Sequence, residues 1–314
     1  MKYYGIQNEV KAYINRLQDE NGITVSPFNI KTINDRVESL KKSGVWSRFS
    51  LGFNDIDGDN YLARAGVTDP LGRCEILWFT RGMKSLDLWR NMISWPMRSY
   101  QNIGTGSTVY SLGGLGIFNG TSSNSPTWGN NGVNFSSTNQ LISFASNLPA
   151  YTYTLLTVIS PSTTITSAST IMAPIGVRSF GGLLLGSSTG GLTNELITRY
   201  VAAGDTDPSV TKAGGYTGTG SISANTFNYI STSISNSGNL SINWNGSNLA
   251  VTNNTGWSPN LSVAYYLGDR LNNDSSFLGD MSFSALINVE GDSTQQVAFY
   301  NLYKSTLGNG LGLP

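Results

Sequence analysis

The sequence predicts a mainly β protein: an antiparallel sandwich over residues 95–314, preceded by a small helical domain over residues 1–94. Three observations predict it. Charge is uneven, with 14 basic and 11 acidic side chains in residues 1–98 but only 5 and 8 in residues 99–314. Short runs of alternating apolar and polar residues, separated by Gly, Asn and Ser clusters, recur through the second stretch. Asn245-Gly246 stands between two such runs, the strongest short-range hairpin signal.

Composition sets the outer bounds. A chain of 314 residues fits two domains. Only 12% of residues are charged, about half of the ~25% usual for soluble proteins. The surface of the second domain is therefore solvated by hydroxyls and amides. Net charge is zero, so electrostatics give no case for a nucleic-acid partner. No apolar run approaches the roughly 18 residues of a membrane span, so membrane insertion is not expected. The opening MKYYGIQNEVKAY lacks the apolar core of a signal peptide. The expected route is synthesis in a host cytoplasm without a signal peptide. There is no histidine, which removes Ser-His-Asp and Cys-His catalysis and histidine metal sites. Cys74 is the single cysteine, so it forms no intramolecular disulfide and reads as a small core residue.

The helical part follows from spacing. Val10, Tyr13, Ile14 and Leu17 share one helix face, and Asn21-Gly22 stops it. Ser26-Pro27 is a helix start, a capping hydroxyl followed by proline at the first position. Ile30, Ile33, Val37 and Leu40 then share a face, with Lys41-Lys42 suiting the C-terminal end. A short helix is expected over residues 59–65, capped by Asp59. Another segment over 85–93 groups Leu86, Trp89 and Ile93. Near the end of the chain, residues 295–303 form one more short helix.

The strands follow from alternation and β-branched or aromatic enrichment. They are expected at 132–135, 141–144, 151–160, 182–186, 227–235, 240–244, 249–252, 261–268 and 281–289. The polar tracts near 121–125 and 160–170 read as loops and edges. Gly113-Gly114-Leu115-Gly116 and Gly181-Gly182 are tight turns, because no Lys-Ser or Lys-Thr follows them.

The order of pieces carries a resemblance. Gly116-Ile117-Phe118-Asn119-Gly120-Thr121 leads to Ser125-Pro126-Thr127-Trp128 and then Asn131-Gly132-Val133-Asn134-Phe135. The long strand Tyr151–Ser160, the hairpin Leu240–Gly246 and the stretch Leu261–Gly268 follow. Phe277-Leu278-Gly279-Asp280-Met281, then Phe283–Val289 and Val297–Tyr303, complete the series. This succession resembles the laminin-G-like jelly roll of the concanavalin A-like superfamily, and covers about 220 residues. A helical head on such a jelly roll resembles structural proteins of tailed bacteriophages. That likeness implies a non-enzymatic virion protein, a capsid decoration, tail or fibre component, working as a homo-oligomer beside other virion proteins. The alternative is a lectin-like module that binds host-surface glycan.

Candidate chemistry is sparse. Glycosidases on this fold carry paired carboxylates in an E-x-D-x-x-E strand, and no such pattern occurs here. Asp55, Asp57 and Asp59 lack the Gly and Glu positions of an EF-hand and read as a polar turn. No cofactor is expected; calcium at a loop rim would take Asp269, Asn273 and Asp274, or Asp205 and Asp207. Tyr216 and Trp257, set among Gly, Asn, Thr and Ser, are the candidate sugar-stacking residues. Trp128 and Trp244 lie within strand signals and read as core.

Overall fold

Helix α1, Asn8–Asn21, opens the chain, and α2, Pro27–Lys42, follows it. The computed structural model describes residues 6–21, 24–42, 55–144, 154–165, 172–177, 181–185, 222–234, 240–249, 265–269, 276–289 and 291–314. The Ser26 hydroxyl accepts the Asn29 N–H at 3.2 Å, as its capping position requires. Val10, Tyr13 and Ile14 of α1 and Ile30, Ile33 and Val37 of α2 are all buried, as their spacing predicts.

Helix α3, Ile56–Arg64, starts three residues earlier than expected, and its cap is Asp55 rather than Asp59. The Asp55 carboxylate accepts the N–H groups of Asp57 and Gly58, both at 3.1 Å. Lys84 closes over the same carboxylate at 2.8 and 2.9 Å and reaches Asp57 at 2.6 Å. The amino group thus occupies the centre of the acidic turn.

Helix α4, Pro70–Ser85, is the element the periodicity did not show. It is buried on nearly every side, so it has no polar face to mark a helical stripe. Its start signal was nonetheless present. Asp69-Pro70 repeats the logic of Ser26-Pro27, and Asp69 accepts the Gly72 N–H at 2.8 Å. The expected helix over 85–93 is instead a 3-10 turn, Trp89–Asn91, running into strand β1, Met92–Pro96.

The remaining strands are β2 (Thr108–Val109), β3 (Gly120–Ser123), β4 (Thr127–Trp128), β5 (Val133–Phe135), β6 (Leu141–Phe144), β7 (Thr154–Pro161), β8 (Met172–Val177), β9 (Gly181–Leu185), β10 (Asn228–Ile234), β11 (Leu240–Trp244), β12 (Ser247–Leu249), β13 (Tyr265–Leu267) and β14 (Gly279–Ile287), before helix α5, Ser293–Ser305. The tract at 121–125, expected among loops and edges, is largely strand β3. Gly181-Gly182, expected as a turn, opens β9. The β11–β12 hairpin turns at Asn245 (φ +50°) and Gly246 (φ +85°), the paired positive angles of a type I′ turn.

All pairings are antiparallel, and the strands form two sheets. The eight-stranded sheet runs β12-β11-β10-β7-β14-β5-β4, with β1 also on β14. The six-stranded sheet runs β2-β3-β6-β13-β8-β9. On the central strand β14, residues 279–281 pair with β5 and residues 283–287 with β1. An irregularity between Met281 and Phe283 shifts the alternation, so the two residues serve opposite faces.

The eight-stranded sheet separates two cores. Leu155, Ile159, Ile230, Ile242 and Leu286 face the six-stranded sheet, with Trp95, Phe135, Ile142 and Leu267. Leu156, Val158, Tyr229, Phe283 and Ala285 face the other way, into a core shared with Tyr61, Trp78 and Phe79 of the helices and Phe299 and Tyr303 of α5. The architecture is therefore three layers: helices, eight-stranded sheet, six-stranded sheet. The division expected at residue 94 falls within β1, whose every residue pairs with β14.

Two helical glycines let these layers close. A Cβ on Gly72 would lie 2.0 Å from the Tyr100 carbonyl oxygen, and one on Gly82 would lie 2.2 Å from Leu302 Cδ1. Among the described residues, no helix is long and apolar enough to cross a membrane.

Candidate functional site

Layering decides which sheet faces the described elements cover. α4 and α5 cover one face of the eight-stranded sheet, and the six-stranded sheet covers the other. No described element packs on the outer face of the six-stranded sheet.

Register fixes what that face presents. Leu267 pairs with Ile142 on one side and Ile175 on the other, and all three point into the inner core. Tyr265, two positions back, is also buried in that core. Side chains alternate along a strand, so Tyr266 between them points outward. It pairs with Ser143 and Gly176. Ser143 in turn pairs with Thr121, and Thr121 with Thr108; Gly176 pairs with Gly182. One outward row thus reads Thr108, Thr121, Ser143, Tyr266, Gly176, Gly182, crossing all six strands. At about 4.8 Å per strand the row spans roughly 24 Å.

The row has a simple chemistry. Tyr266 is half-buried at its base, and two positions without side chains flank it on one side. Three hydroxyl side chains flank it on the other. The row holds no charged side chain. An aromatic face beside hydroxyls suits a ligand that is apolar on one side and hydroxylated at its edges.

The rim at the start of β6 is built from amides. Gln140 accepts the N–H groups of Ser136 and Ser137 at 2.6 and 3.1 Å and donates to the Asn124 and Ser125 carbonyls at 3.1 and 3.3 Å. Asn124 donates to the Asn139 carbonyl at 2.6 Å. Asn124, Ser125 and Asn139 all hold positive φ. The β3–β4 and β5–β6 turns are therefore fixed to each other.

The residues expected from sequence fall elsewhere. Tyr216, Trp257, Asn273, Asp274, Asp205 and Asp207 lie outside the described residues. Asp269 is fully buried and accepts the Ser276 hydroxyl at 2.8 Å. Among the described residues there is no group of three or more carboxylate or cysteine side chains placed to hold a metal. Trp128 and Trp244 are half-buried against the inner core; their indole N–H groups donate to Gly106 O at 3.4 Å and Asn228 Oδ1 at 2.9 Å. Tyr266 was missed as a site residue. The signal for it was the tandem Tyr265-Tyr266, which in a strand must put one ring in and one out.

A second gathering of polar groups lies inside. Glu75 of α4 is 1% exposed, and its Oε2 accepts Gln101 at 2.7 Å and the Tyr100 hydroxyl at 3.2 Å. Burial raises its carboxyl to about 7, against the pull of Arg98 and Arg36. Arg98 donates to the Leu307 and Asn309 carbonyls, and Arg36 to the Asn309 side chain. Burial also pushes the adjacent Cys74 thiol well up. The cluster ties α2, α4 and the chain end together.

The chain matches no protein-family model and no curated protein. Its fold is similar to that of Trypanosoma rangeli sialidase, with 15% identity over 76% of this chain and a TM-score of 0.48. The same enzyme in complex with sialic acid gives a TM-score of 0.47 at 15% identity, again over 76% of this chain. The chain spans about 40% of those sialidase chains. It is also similar to domain 4 of AbnA, a GH43 extracellular arabinanase from Geobacillus stearothermophilus, in complex with arabinotriose. That likeness has 12% identity, a TM-score of 0.33, and covers 67% of this chain and 87% of that one. The expectation that this chain is non-enzymatic is corrected here. Its structural neighbours include enzymes.

Proposed function

We propose that the chain is a glycan-binding protein whose site is the outer face of the six-stranded sheet, centred on Tyr266. One observation carries the reading: the only described sheet face not packed against another layer presents a tyrosine between hydroxyls and glycines. The ring would stack on the C–H face of a sugar, with Ser143 and Thr121 hydrogen-bonding its hydroxyls. The fixed amide rim around Gln140 and Asn124 would border the ligand. The test is a glycan screen with the full chain, repeated with Tyr266→Ala. Binding that disappears in the variant, at unchanged thermal stability, supports the reading. Equal binding by the variant moves the site elsewhere, and binding to no glycan removes the function.

A virion setting, with the chain as a capsid, tail or fibre component, is the second part of the proposal. It is favoured by the weakly charged surface of the β portion, 13 charges in residues 99–314. Immunogold labelling of purified phage with antibody to the sandwich tests it. Label on particles places the protein in the virion; label confined to lysate rejects that setting and leaves the binding function standing.

A further inference from the structure

Four Asn-Gly steps lie among the described residues: Asn119-Gly120, Asn131-Gly132, Asn245-Gly246 and Asn309-Gly310. An asparagine before glycine cyclises when the glycine nitrogen reaches the side-chain carbonyl carbon. Fold geometry can prevent this by holding the side chain or the glycine.

Three of the four are held. The Asn119 side-chain oxygen accepts the Ser111 N–H and hydroxyl at 3.0 and 3.3 Å. Asn245 is engaged at both ends of its amide: Oδ1 accepts the Tyr229 N–H at 2.8 Å and Nδ2 donates to Asn228 at 3.0 Å. The Gly246 N–H is itself donated to Asn243 at 3.0 Å. Asn309 accepts Arg36 through its side chain at 2.6 Å and Arg98 through its carbonyl at 2.7 Å.

Asn131 is different. Gly132 is buried against β14, where a Cβ would lie 2.3 Å from the Met281 carbonyl oxygen, but Asn131 itself is exposed at the tip of the β4–β5 hairpin, and its side chain takes no hydrogen bond among the described residues. The Gly132 N–H is held only by a long 3.3 Å bond to the Gly129 carbonyl, whereas the reverse bond is 2.8 Å. Neither Asn130 nor Asn131 has positive φ, so the turn lacks the twist that suits a two-residue hairpin.

We propose that Asn131 is the spontaneous modification site of this fold. The Gly132 nitrogen, losing its proton to hydroxide, attacks Asn131 Cγ; the Cγ–Nδ2 bond breaks, and the departing nitrogen takes a proton from water and leaves as ammonia. Water then opens the resulting cyclic imide at either carbonyl, giving aspartate or a β-linked isoaspartate. Either product puts a carboxylate one residue from the Asn130 carbonyl that accepts Arg98 Nε at 2.8 Å. The isoaspartate also lengthens the backbone of a two-residue loop.

The test is to age the folded full chain in mildly alkaline buffer and map the four peptides by mass spectrometry, with a parallel sample in urea. In the folded chain, conversion at Asn131 leads that at Asn245 by about tenfold or more, because two hydrogen bonds must open at Asn245. In urea the rates converge. Conversion at Asn131 no faster than at the other three in the folded chain overturns the proposal. A lead that persists undiminished in urea overturns it as well, since sequence alone would then set the order.

Discussion

Phe79 of α4 and Phe283 of β14 meet edge to face, with ring centroids 5.6 Å apart and an interplanar angle of 75°. Phe79 also meets Phe299 of α5 at 5.9 Å, and Phe283 meets Tyr303 at 4.9 Å. These rings join the N-terminal helices, the central strand and the last helix into one core. Phe79→Ala will destabilise the protein by about 3–5 kcal/mol. In urea or thermal denaturation the helical and sheet signals will fall together. Separate transitions, with the sheet signal unaffected, would show that the helices fold on their own.

Glu75 makes stability depend on pH in a definite direction. Its carboxyl is raised to about 7 in the fold from an ordinary 4.5, first through burial. The fold therefore favours the protonated form. The contribution is full below 4.5 and is lost as pH rises through 7, by at most about 3 kcal/mol. Melting curves across that window will show wild type losing stability with rising pH. Glu75→Gln, which keeps an acceptor for Gln101 and Tyr100, will flatten the curve. Parallel curves for the two proteins would refute the assignment.

Gly246 sits at φ +85°, and a Cβ there would lie 2.6 Å from Tyr300 Cδ1. Gly246→Ala combines backbone strain with a forced shift of a buried ring. It will cost roughly 1–3 kcal/mol in equilibrium unfolding. A loss of a few tenths would mean that the hairpin moves freely off α5.

Lys84 is about one-third exposed, while the Asp55 carboxylate beneath it is 8% exposed. Lys84→Met will leave that carboxylate without its cation and cost on the order of 1 kcal/mol. Adding Asp55→Asn keeps the helix cap while removing the stranded charge. The double variant will therefore recover part of the loss in the same unfolding assay.

Legibility in the sequence followed amphipathicity. α1 and α2 carry one wet face each, and polar residues alternate with apolar ones along Leu240–Trp244, so their periods show. Helix α4 is apolar nearly all round and gave only its Asp69-Pro70 start. The short strands β2 and β4 exist because longer neighbours pair with them; two residues hold no period at all. The candidate site was legible only in part. Alternation in Tyr265-Tyr266-Leu267 points one ring outward, but its neighbours Ser143, Gly176 and Thr121 come from distant strands. Only register across the sheet, a long-range property, places them in one row.

The helical layer behind the eight-stranded sheet has a bearing on valency. A chain backed in this way offers its described strands to a ligand from one side, so under the proposed function each copy would make one contact through this sheet. Tight attachment to a repetitive surface then depends on neighbouring copies facing the same way, each second contact being favoured by the nearness of the first. The spacing between copies, as much as the chemistry around Tyr266, would set the avidity.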